Sequence, residues 1–130
     1  MTRTVGIKYV EQELENIYNV VKKAQQAAVD FVRPGVVAST VDEIARNIIA
    51  ESGYGEYFTH GLGHGIGIGG DYPMMNSTSS TVLQENMVLT CEPGIYVPKL
   101  GGVRIEDVVC VLSDRGEALT KSDKSLIMVG

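Results

Sequence analysis

The chain has 130 residues, enough for one domain with a buried core, and its 44% hydrophobic and 21% charged content is ordinary for a globular protein. Eleven basic side chains against sixteen acidic ones give a formal net charge of −5, and no basic cluster is present, which argues against a nucleic-acid partner. The longest apolar runs, such as residues 108–112, are far too short to span a bilayer, and the N-terminus has no signal-peptide pattern.

Two amphipathic helices are predicted in the first part of the chain. Residues 8–33 carry apolar side chains at three- and four-residue steps, and a Pro-Gly pair then ends the helix. A second helix is predicted from about 41 to 52, with Ser39 or Thr40 as its N-cap and two acidic residues near the positive end of its dipole. Gly53 supplies the left-handed residue that commonly closes a helix.

The rest of the chain has the pattern of glycine-rich loops and strands. Eight glycines fall within residues 53–70, a density that requires turns or a close approach of the backbone to another group. Residues 87–96 and 103–112 are apolar, β-branched runs separated by a turn, and we expect them to pair as an antiparallel hairpin. A short edge strand is expected at 125–129.

The two cysteines, Cys91 and Cys110, lie inside the apolar runs. We expect them to be reduced and buried, which fits a cytoplasmic protein. A disulfide between them is the alternative, and the sequence gives it no support.

Four side chains stand out as candidates for chemistry. The two histidines both lie in one phrase, His60-Gly-Leu-Gly-His64, whose glycines leave room for another group to approach the imidazoles. Glu92 and Glu106 lie within the strand-like runs, where an unpaired carboxylate is costly unless a cation or hydrogen bonds compensate it. Paired as a hairpin, the runs bring both carboxylates together. Two carboxylates and an imidazole suit a divalent metal such as manganese, cobalt or zinc.

A plainer interpretation needs no metal. Arg104 and Lys99 could neutralise Glu92 and Glu106 as ordinary ion pairs, in which case the region is purely structural.

Three motifs then occur in order along the chain: Gly61-Leu-Gly-His-Gly-Ile-Gly, Cys91-Glu-Pro-Gly-Ile-Tyr-Val-Pro and Gly101-Gly-Val-Arg-Ile-Glu-Asp. They resemble the catalytic half of the pita-bread metallopeptidases, the superfamily of methionine aminopeptidase, Xaa-Pro aminopeptidase and prolidase. The last two motifs are more similar to the Xaa-Pro branch, and Thr2-Arg-Thr and Arg33-Pro-Gly extend the resemblance over nearly the whole chain. The resemblance implies an α/β (α+β) fold, half of a pita-bread fold, with two N-terminal helices packed on a curved, mainly antiparallel sheet.

The resemblance also implies a metal centre. His64, Glu92 and Glu106 match the metal ligands of the family, and Glu106 matches the residue that bridges two metals. The implied reaction is hydrolysis of the peptide bond before proline in an Xaa-Pro peptide, with manganese as the favoured metal and cobalt or zinc as alternatives. In this mechanism the cations acidify a bridging water and polarise the scissile carbonyl.

The catalytic residues implied by the resemblance are Glu92 and His60. Glu92 matches the carboxylate proposed to shuttle protons, and His60 matches a histidine thought to contact the peptide near the scissile bond. Arg104 and Tyr96 resemble residues that orient the carboxylates from outside the metal shell.

The sequence also departs from the family in several places. The family has five metal ligands, two of them aspartates that precede the helical pair, and Met1 stands one step after the place of the second. Residues 1–130 are therefore expected to be the C-terminal part of a catalytic domain, without its first half or the N-terminal domain of Xaa-Pro enzymes. Asp71 stands where the family has a histidine that stabilises the tetrahedral intermediate, a contribution of about 2–4 kcal/mol. Asn86 replaces a preferred glycine at a turn that needs a left-handed residue.

These departures predict a peptidase lineage whose present chain is weakly active or inactive alone. A non-catalytic pita-bread relative that binds peptides or proteins is the alternative, which Asp71 favours, and a metal-free structural half-domain is a third. The sheet edge that a half-fold leaves exposed predicts a homodimer or larger assembly.

Overall fold

The computed structural model describes residues 1–68 and 70–130. Two helices, α1 (Gln12–Phe31) and α2 (Ala38–Glu51), precede one turn of 3₁₀ helix at Gly55–Tyr57. Nine strands were found in the described part of the chain: β1 (Val5–Ile7), β2 (Gly63–His64), β3 (Met74–Met75), β4 (Val88–Cys91), β5 (Gly94–Val97), β6 (Gly101–Arg104), β7 (Asp107–Val111), β8 (Gly116–Ala118) and β9 (Ile127–Val129). All the strand pairs are antiparallel except β1 with β9, so the expected class, two helices with mainly antiparallel strands, is confirmed. In the described residues the strands form four small sheets rather than one, in the orders β1-β9, β2-β3, β4-β7-β8 and β5-β6.

Helix α1 packs against α2 and against strands β6 and β8. Its buried face repeats at three- and four-residue steps, as the sequence predicted, with Ile17, Val21, Ala24 and Ala28 in the core. The helix begins four residues later than predicted, since the chain before it forms β1 and then turns at Lys8, whose φ of 62° is left-handed.

The start of α2 corrects the sequence prediction. The N-cap is Val37 rather than Ser39 or Thr40, and both of those residues lie inside the first turn. No side chain caps this end, because the amide of Ala38 instead donates to the carbonyl of Thr81 at 2.8 Å. The predicted end of the helix is confirmed, since the chain turns after it at a glycine with φ of 88°.

The predicted hairpin is present, and it is divided into two ladders in one register. β4 pairs with β7 up to Cys91 opposite Asp107, and β5 pairs with β6 from Gly94 opposite Arg104. The same register places Glu92 opposite Glu106 in the gap between the ladders. The expectation that pairing brings the two glutamates to neighbouring positions is therefore confirmed.

The gap in the hairpin is where two other segments join it. The amide of Glu92 donates to the carbonyl of Leu62 at 2.7 Å, and the amide of Glu106 donates to the carbonyl of Thr2 at 3.0 Å. Each glutamate backbone is thus fixed by a segment from elsewhere in the chain. The histidine loop, residues 60–64, holds Glu92, and the N-terminal segment holds Glu106.

The C-terminal strand is confirmed in a shorter form. The expected edge strand at 125–129 is β9, which pairs in parallel with β1. The sequence predicted neither β1 nor β8, both of three residues. Asn86 has a φ of 70°, as expected of a residue that replaces glycine at a left-handed turn.

The core lies between the two helices and the strands of the hairpin, with Ile49, Leu89, Ile95 and Val109 fully buried. Both cysteines are free thiols, and the expected burial is confirmed for Cys91 and wrong for Cys110, which is partly exposed. Within the described residues, no helix is at once long enough and apolar enough to cross a membrane.

Candidate metal centre

His64 is carried on β2, which runs very close to β4. The His64 amide donates to the hydroxyl of Thr90 at 3.0 Å. A Cβ on Gly63 would lie 2.1 Å from the carbonyl oxygen of Thr90, so only glycine permits this approach. Gly63 is therefore required structurally, since it lets β2 approach β4, the strand that leads into Glu92.

The imidazole of His64 faces the carboxylate of Glu92. His64 Nε2 lies 3.4 Å from Glu92 Oε1, and the Thr90 hydroxyl donates to the same oxygen at 2.9 Å. The other ring nitrogen, Nδ1, lies 2.9 Å from the carbonyl oxygen of Gly65. A carbonyl can only accept, so Nδ1 carries the hydrogen, and in its neutral form the ring presents the Nε2 lone pair to the carboxylate.

Two acceptors that face each other at this distance favour a cation between them. A carbonyl that holds Nδ1–H and leaves Nε2 free is also the usual arrangement of a metal-binding histidine. By the chemistry of this donor pair, His64 and Glu92 fit a divalent metal.

Glu106, the third predicted ligand, is held from the N-terminal segment. Its Oε2 accepts a hydrogen bond from the Thr2 hydroxyl at 2.5 Å and lies 3.3 Å from the amino group of Met1. Burial raises the pKa of Glu106, but the bonds from Thr2 and from the amino terminus, together with the charge of Arg104, bring that pKa below its usual value. The carboxylate is therefore anionic at neutral pH, as a metal ligand must be.

The three predicted ligands are brought near one another to different degrees. His64 and Glu92 are in contact, and Glu106 lies opposite Glu92 in the hairpin register with one oxygen bonded to Thr2. In residues 1–68 and 70–130 no three His, Cys, Asp or Glu side chains converge as a ready-made metal cluster.

The metal-free interpretation finds limited support in the ion pairs. Arg104 Nη1 lies 3.9 Å from Glu92 Oε2, a long contact. Among the described residues, Lys99 forms no ion pair with either glutamate and occupies a turn with φ of 67°.

Arg104 Nε is buried, and in the described part of the chain it has no hydrogen-bond partner. A buried donor left in this way marks a place where a further acceptor is expected.

His60 and Tyr96 form a second pair of interacting side chains. His60 Nε2 lies 2.8 Å from the Tyr96 hydroxyl, and Nδ1 lies 2.7 Å from the carbonyl oxygen of Gly61. A Cβ on Gly94 would lie 2.4 Å from the same hydroxyl oxygen, so glycine at this position makes room for the tyrosine. The sequence predicted Tyr96 to orient a carboxylate, whereas its hydroxyl contacts the imidazole of His60.

Asp71, which the sequence resemblance places where a histidine is expected, lies on the other side of His64. Its Oδ1 is 3.6 Å from His64 Nδ1, and the side chain is 77% exposed. The carboxylate is thus close to the proposed centre and open to solvent.

A network of buried charges behind Glu106 was missed by the sequence reasoning. Asp107 is fully buried, and its carboxylate accepts from Arg3 at 2.6 Å, Gln25 at 2.9 Å and Lys124 at 3.1 Å. Arg3 also donates to the carbonyl of Glu106 at 2.7 Å. Three distant segments therefore meet beside Glu106, a convergence that local sequence patterns cannot reveal.

Comparison with known proteins relates this arrangement to peptidases. The sequence profile of metallopeptidase family M24 matches residues 1–113. The Xaa-Pro dipeptidase of Pyrococcus horikoshii is 48% identical over 128 residues, which are 98% of this chain and 36% of that relative. The chain thus spans just over a third of the length of the curated relatives it matches.

Solved structures give the same picture. An Xaa-Pro dipeptidase from Bacillus anthracis superimposes with a TM-score of 0.95 at 44% identity, and an X-Pro aminopeptidase from Thermotoga maritima with a TM-score of 0.93 at 38% identity. In both cases 98% of this chain and 36% of the other chain are covered. These superpositions confirm the expected fold, part of the pita-bread fold of the prolidases.

Proposed function

The chain belongs to metallopeptidase family M24, and from this premise we propose that it is the metal-binding, C-terminal part of the catalytic domain of an Xaa-Pro dipeptidase or aminopeptidase. The proposed reaction is hydrolysis of the peptide bond that precedes proline. The contact between His64 Nε2 and Glu92 Oε1 carries the proposal, because it sets an imidazole lone pair against a carboxylate where a cation is favourable.

His64, Glu92 and Glu106 would hold the cation. The two carboxylates and one imidazole are consistent with manganese as the proposed metal, with cobalt or zinc as alternatives. A cation bound there would supply a Lewis acid for the scissile carbonyl and would lower the pKa of an attacking water. Glu92 would take up and release the proton of the reaction, with its Oε1 fixed by the Thr90 hydroxyl.

An open cleft beside His60 supports a peptide as the substrate. Its volume is about 490 Å³, and Arg46, Phe58, His60, Asn76 and Thr78 are among its lining residues. A cleft of this size is in the range of small-molecule sites and could admit a dipeptide. His60 would contact the peptide from the cleft wall, and Arg104, close to Glu92, would orient that carboxylate.

A domain-replacement experiment tests the proposal. The matching residues of the Bacillus anthracis Xaa-Pro dipeptidase, 36% of that chain, are replaced by residues 1–130 of this chain. The chimera should hydrolyse an Ala-Pro dipeptide in the presence of Mn²⁺, and Glu92→Gln in the chimera should abolish the turnover. A folded chimera that binds Mn²⁺ and does not cleave Ala-Pro would refute the peptidase proposal.

The chain alone is proposed to have little or no turnover, since it spans 36% of its relatives. Chelator-sensitive cleavage of Ala-Pro by residues 1–130 would contradict this part of the proposal.

A non-catalytic peptide- or protein-binding role is the second candidate. Asp71 favours it, because an exposed carboxylate 3.6 Å from His64 cannot donate a hydrogen bond to an oxyanion unless it is protonated. If this candidate is right, the chimera binds Ala-Pro without cleaving it, and Asp71→His does not restore turnover.

Association with a second copy is also proposed. A groove of about 400 Å³ beside β1 is lined by Val5, Ile7, Tyr9 and Leu14, and the first three of these side chains are exposed. Apolar surface next to a sheet edge is a common place for pairing. Light scattering at high concentration should give a dimer or larger assembly, and a clean monomer would refute this.

The free thiols support a cytoplasmic location.

A further inference from the structure

A buried ion pair on α2 lies outside the proposed metal chemistry. Asp42 is fully buried, and Arg46 follows one turn later with 31% of its side chain exposed. Arg46 Nε donates to one carboxylate oxygen at 2.8 Å and Nη2 donates to the other at 3.0 Å. Such a two-point fork fixes the guanidinium plane. A buried ion pair by itself adds little stability over apolar packing, so its other contacts decide what it does.

The other contacts of the pair reach a single short segment of the chain. Arg46 Nη1 donates to the carbonyl of Phe58 at 3.0 Å, and Nη2 donates to the carbonyl of His60 at 2.8 Å. The amide of Leu62 donates to Asp42 Oδ1 at 2.9 Å. The guanidinium also lies 4.2 Å from the centre of the Phe58 ring. The ion pair therefore holds the backbone of this segment at three alternate residues.

The same segment positions the imidazole of His60. The rings of His60 and Phe58 pack edge to face, with their centroids 5.1 Å apart and their planes at 89°. The Gly61 carbonyl can only accept, so His60 Nδ1 carries the hydrogen, and in its neutral form the ring accepts a hydrogen bond from the Tyr96 hydroxyl at Nε2. The ring is thus supported by Phe58, two residues before it, and by Gly61, the residue after it, and Arg46 bonds to the carbonyls of Phe58 and of His60 itself.

We propose that Arg46, held by Asp42, is a positioning residue that fixes the imidazole of His60 against Tyr96 at the wall of the cleft. The inference rests on the proposed function only in taking His60 to face the peptide. In the competing explanation the ion pair is a general stabiliser of α2, and its loss loosens the whole chain equally.

Nuclear magnetic resonance of the 130-residue chain separates the two explanations. The chain has two histidines, so its imidazole Cε1–H groups give two signals, which His60→Gln assigns. Arg46→Met keeps the apolar stem and removes the guanidinium. We expect this variant to shift or broaden the His60 signal, to leave the His64 signal in place, and to make the Leu62 amide exchange about tenfold faster.

Two further variants test whether the change in the His60 signal is specific to the guanidinium of Arg46. Arg33→Met is the matched control, because Arg33 is exposed and its guanidinium lies 5.0 Å from the Phe31 ring. It should change neither signal. Arg46→Lys keeps the charge without the fork, so it should leave the His60 signal perturbed even where it restores the thermal midpoint.

An unchanged His60 signal and unchanged Leu62 exchange in Arg46→Met would overturn the inference. It would also fall if Arg46→Lys restored the His60 signal, or if both histidine signals moved together with the thermal midpoint. Should Arg46→Met not fold, Arg46→Lys decides by the same readings. None of these readings requires turnover, so an inactive chimera would refute the proposed function and leave this inference standing.

Discussion

The buried carboxylate of Asp107 offers the sharpest test of how the site is built. Asp107→Asn keeps the shape of the side chain and removes the charge that Arg3 and Lys124 neutralise at 2.6 and 3.1 Å. The amide also turns a donor toward groups that themselves donate, including Gln25 Nε2. The substitution therefore leaves Arg3 and Lys124 without an anionic partner, at a side chain that is only 1% exposed.

The expected loss in the free energy of unfolding is about 3 kcal/mol, the lower end of the cost of breaking a buried ion pair. The lower end applies because Arg3 and Lys124 keep 12% and 20% of their side chains exposed and can reach water. A small domain has roughly 5–15 kcal/mol in total, so the variant should still fold.

Urea unfolding followed by circular dichroism measures the effect. The midpoint should fall by roughly 1–2 M at an unchanged slope. Asp114→Asn is the control, because Asp114 is 71% exposed and pairs with Arg115 on the surface, so its loss should stay within about 0.5 kcal/mol. A midpoint for Asp107→Asn as close to the parent as that of the control would show that the buried carboxylate does not hold Arg3 and Lys124 as described.

The pH dependence of the same variant follows from the pKa of Asp107. Burial raises that pKa, but the bonds from Arg3, Lys124 and Gln25 outweigh it and lower it below its usual value. A lowered folded pKa contributes stability that is present above the unfolded pKa, about 4, and is lost as the pH falls through the folded value. The difference between the parent chain and Asp107→Asn should therefore be constant near neutrality and shrink below a pH of about 4.

Three further predictions concern the strand contacts and the thiols. Gly63→Ala should lower stability by about 1–3 kcal/mol in thermal unfolding, because its Cβ would meet the Thr90 carbonyl at 2.1 Å, whereas Gly67→Ala, with open space around its Cβ, should be tolerated. Equal midpoints for the two variants would contradict the close strand approach. Thr90→Val removes the hydroxyl that bonds the amide of His64 and the carboxylate of Glu92. The variant should bind Mn²⁺ about 10–100-fold more weakly in calorimetry. An unchanged affinity would count against the site. Burial raises the pKa of the Cys91 thiol to about 12, so a native thiol titration at pH 8 should modify Cys110 alone, and reaction of both thiols would contradict the buried position.

The strongly periodic parts of the fold could be predicted from the sequence. Both helices and the hairpin follow from apolar spacing, and the hairpin register alone places Glu92 opposite Glu106. The short strands β1 and β8 could not be predicted, because three residues carry too little periodicity, and the partner of β1 is also at the far end of the chain.

The candidate site divides in the same way. The histidine loop and the glutamates are recognisable because their residue types are unusual in a glycine-rich or apolar setting. The start of α2 was misjudged because a backbone bond from Ala38 to Thr81 replaces the side-chain cap that local patterns suggest. Asp42 is one of the two acidic residues that the sequence suggested as dipole partners at the start of α2, and its burial against Arg46 and Leu62 depends on tertiary contacts.

The metal content of the purified chain shows whether a metal centre is built on His64. Residues 1–130 are purified after growth with manganese, dialysed, and analysed by inductively coupled plasma mass spectrometry. We expect about one equivalent of Mn²⁺ per chain, retained in His60→Gln and lost in His64→Gln. Less than about a tenth of an equivalent in the folded parent chain, or equal metal in both histidine variants, would contradict it.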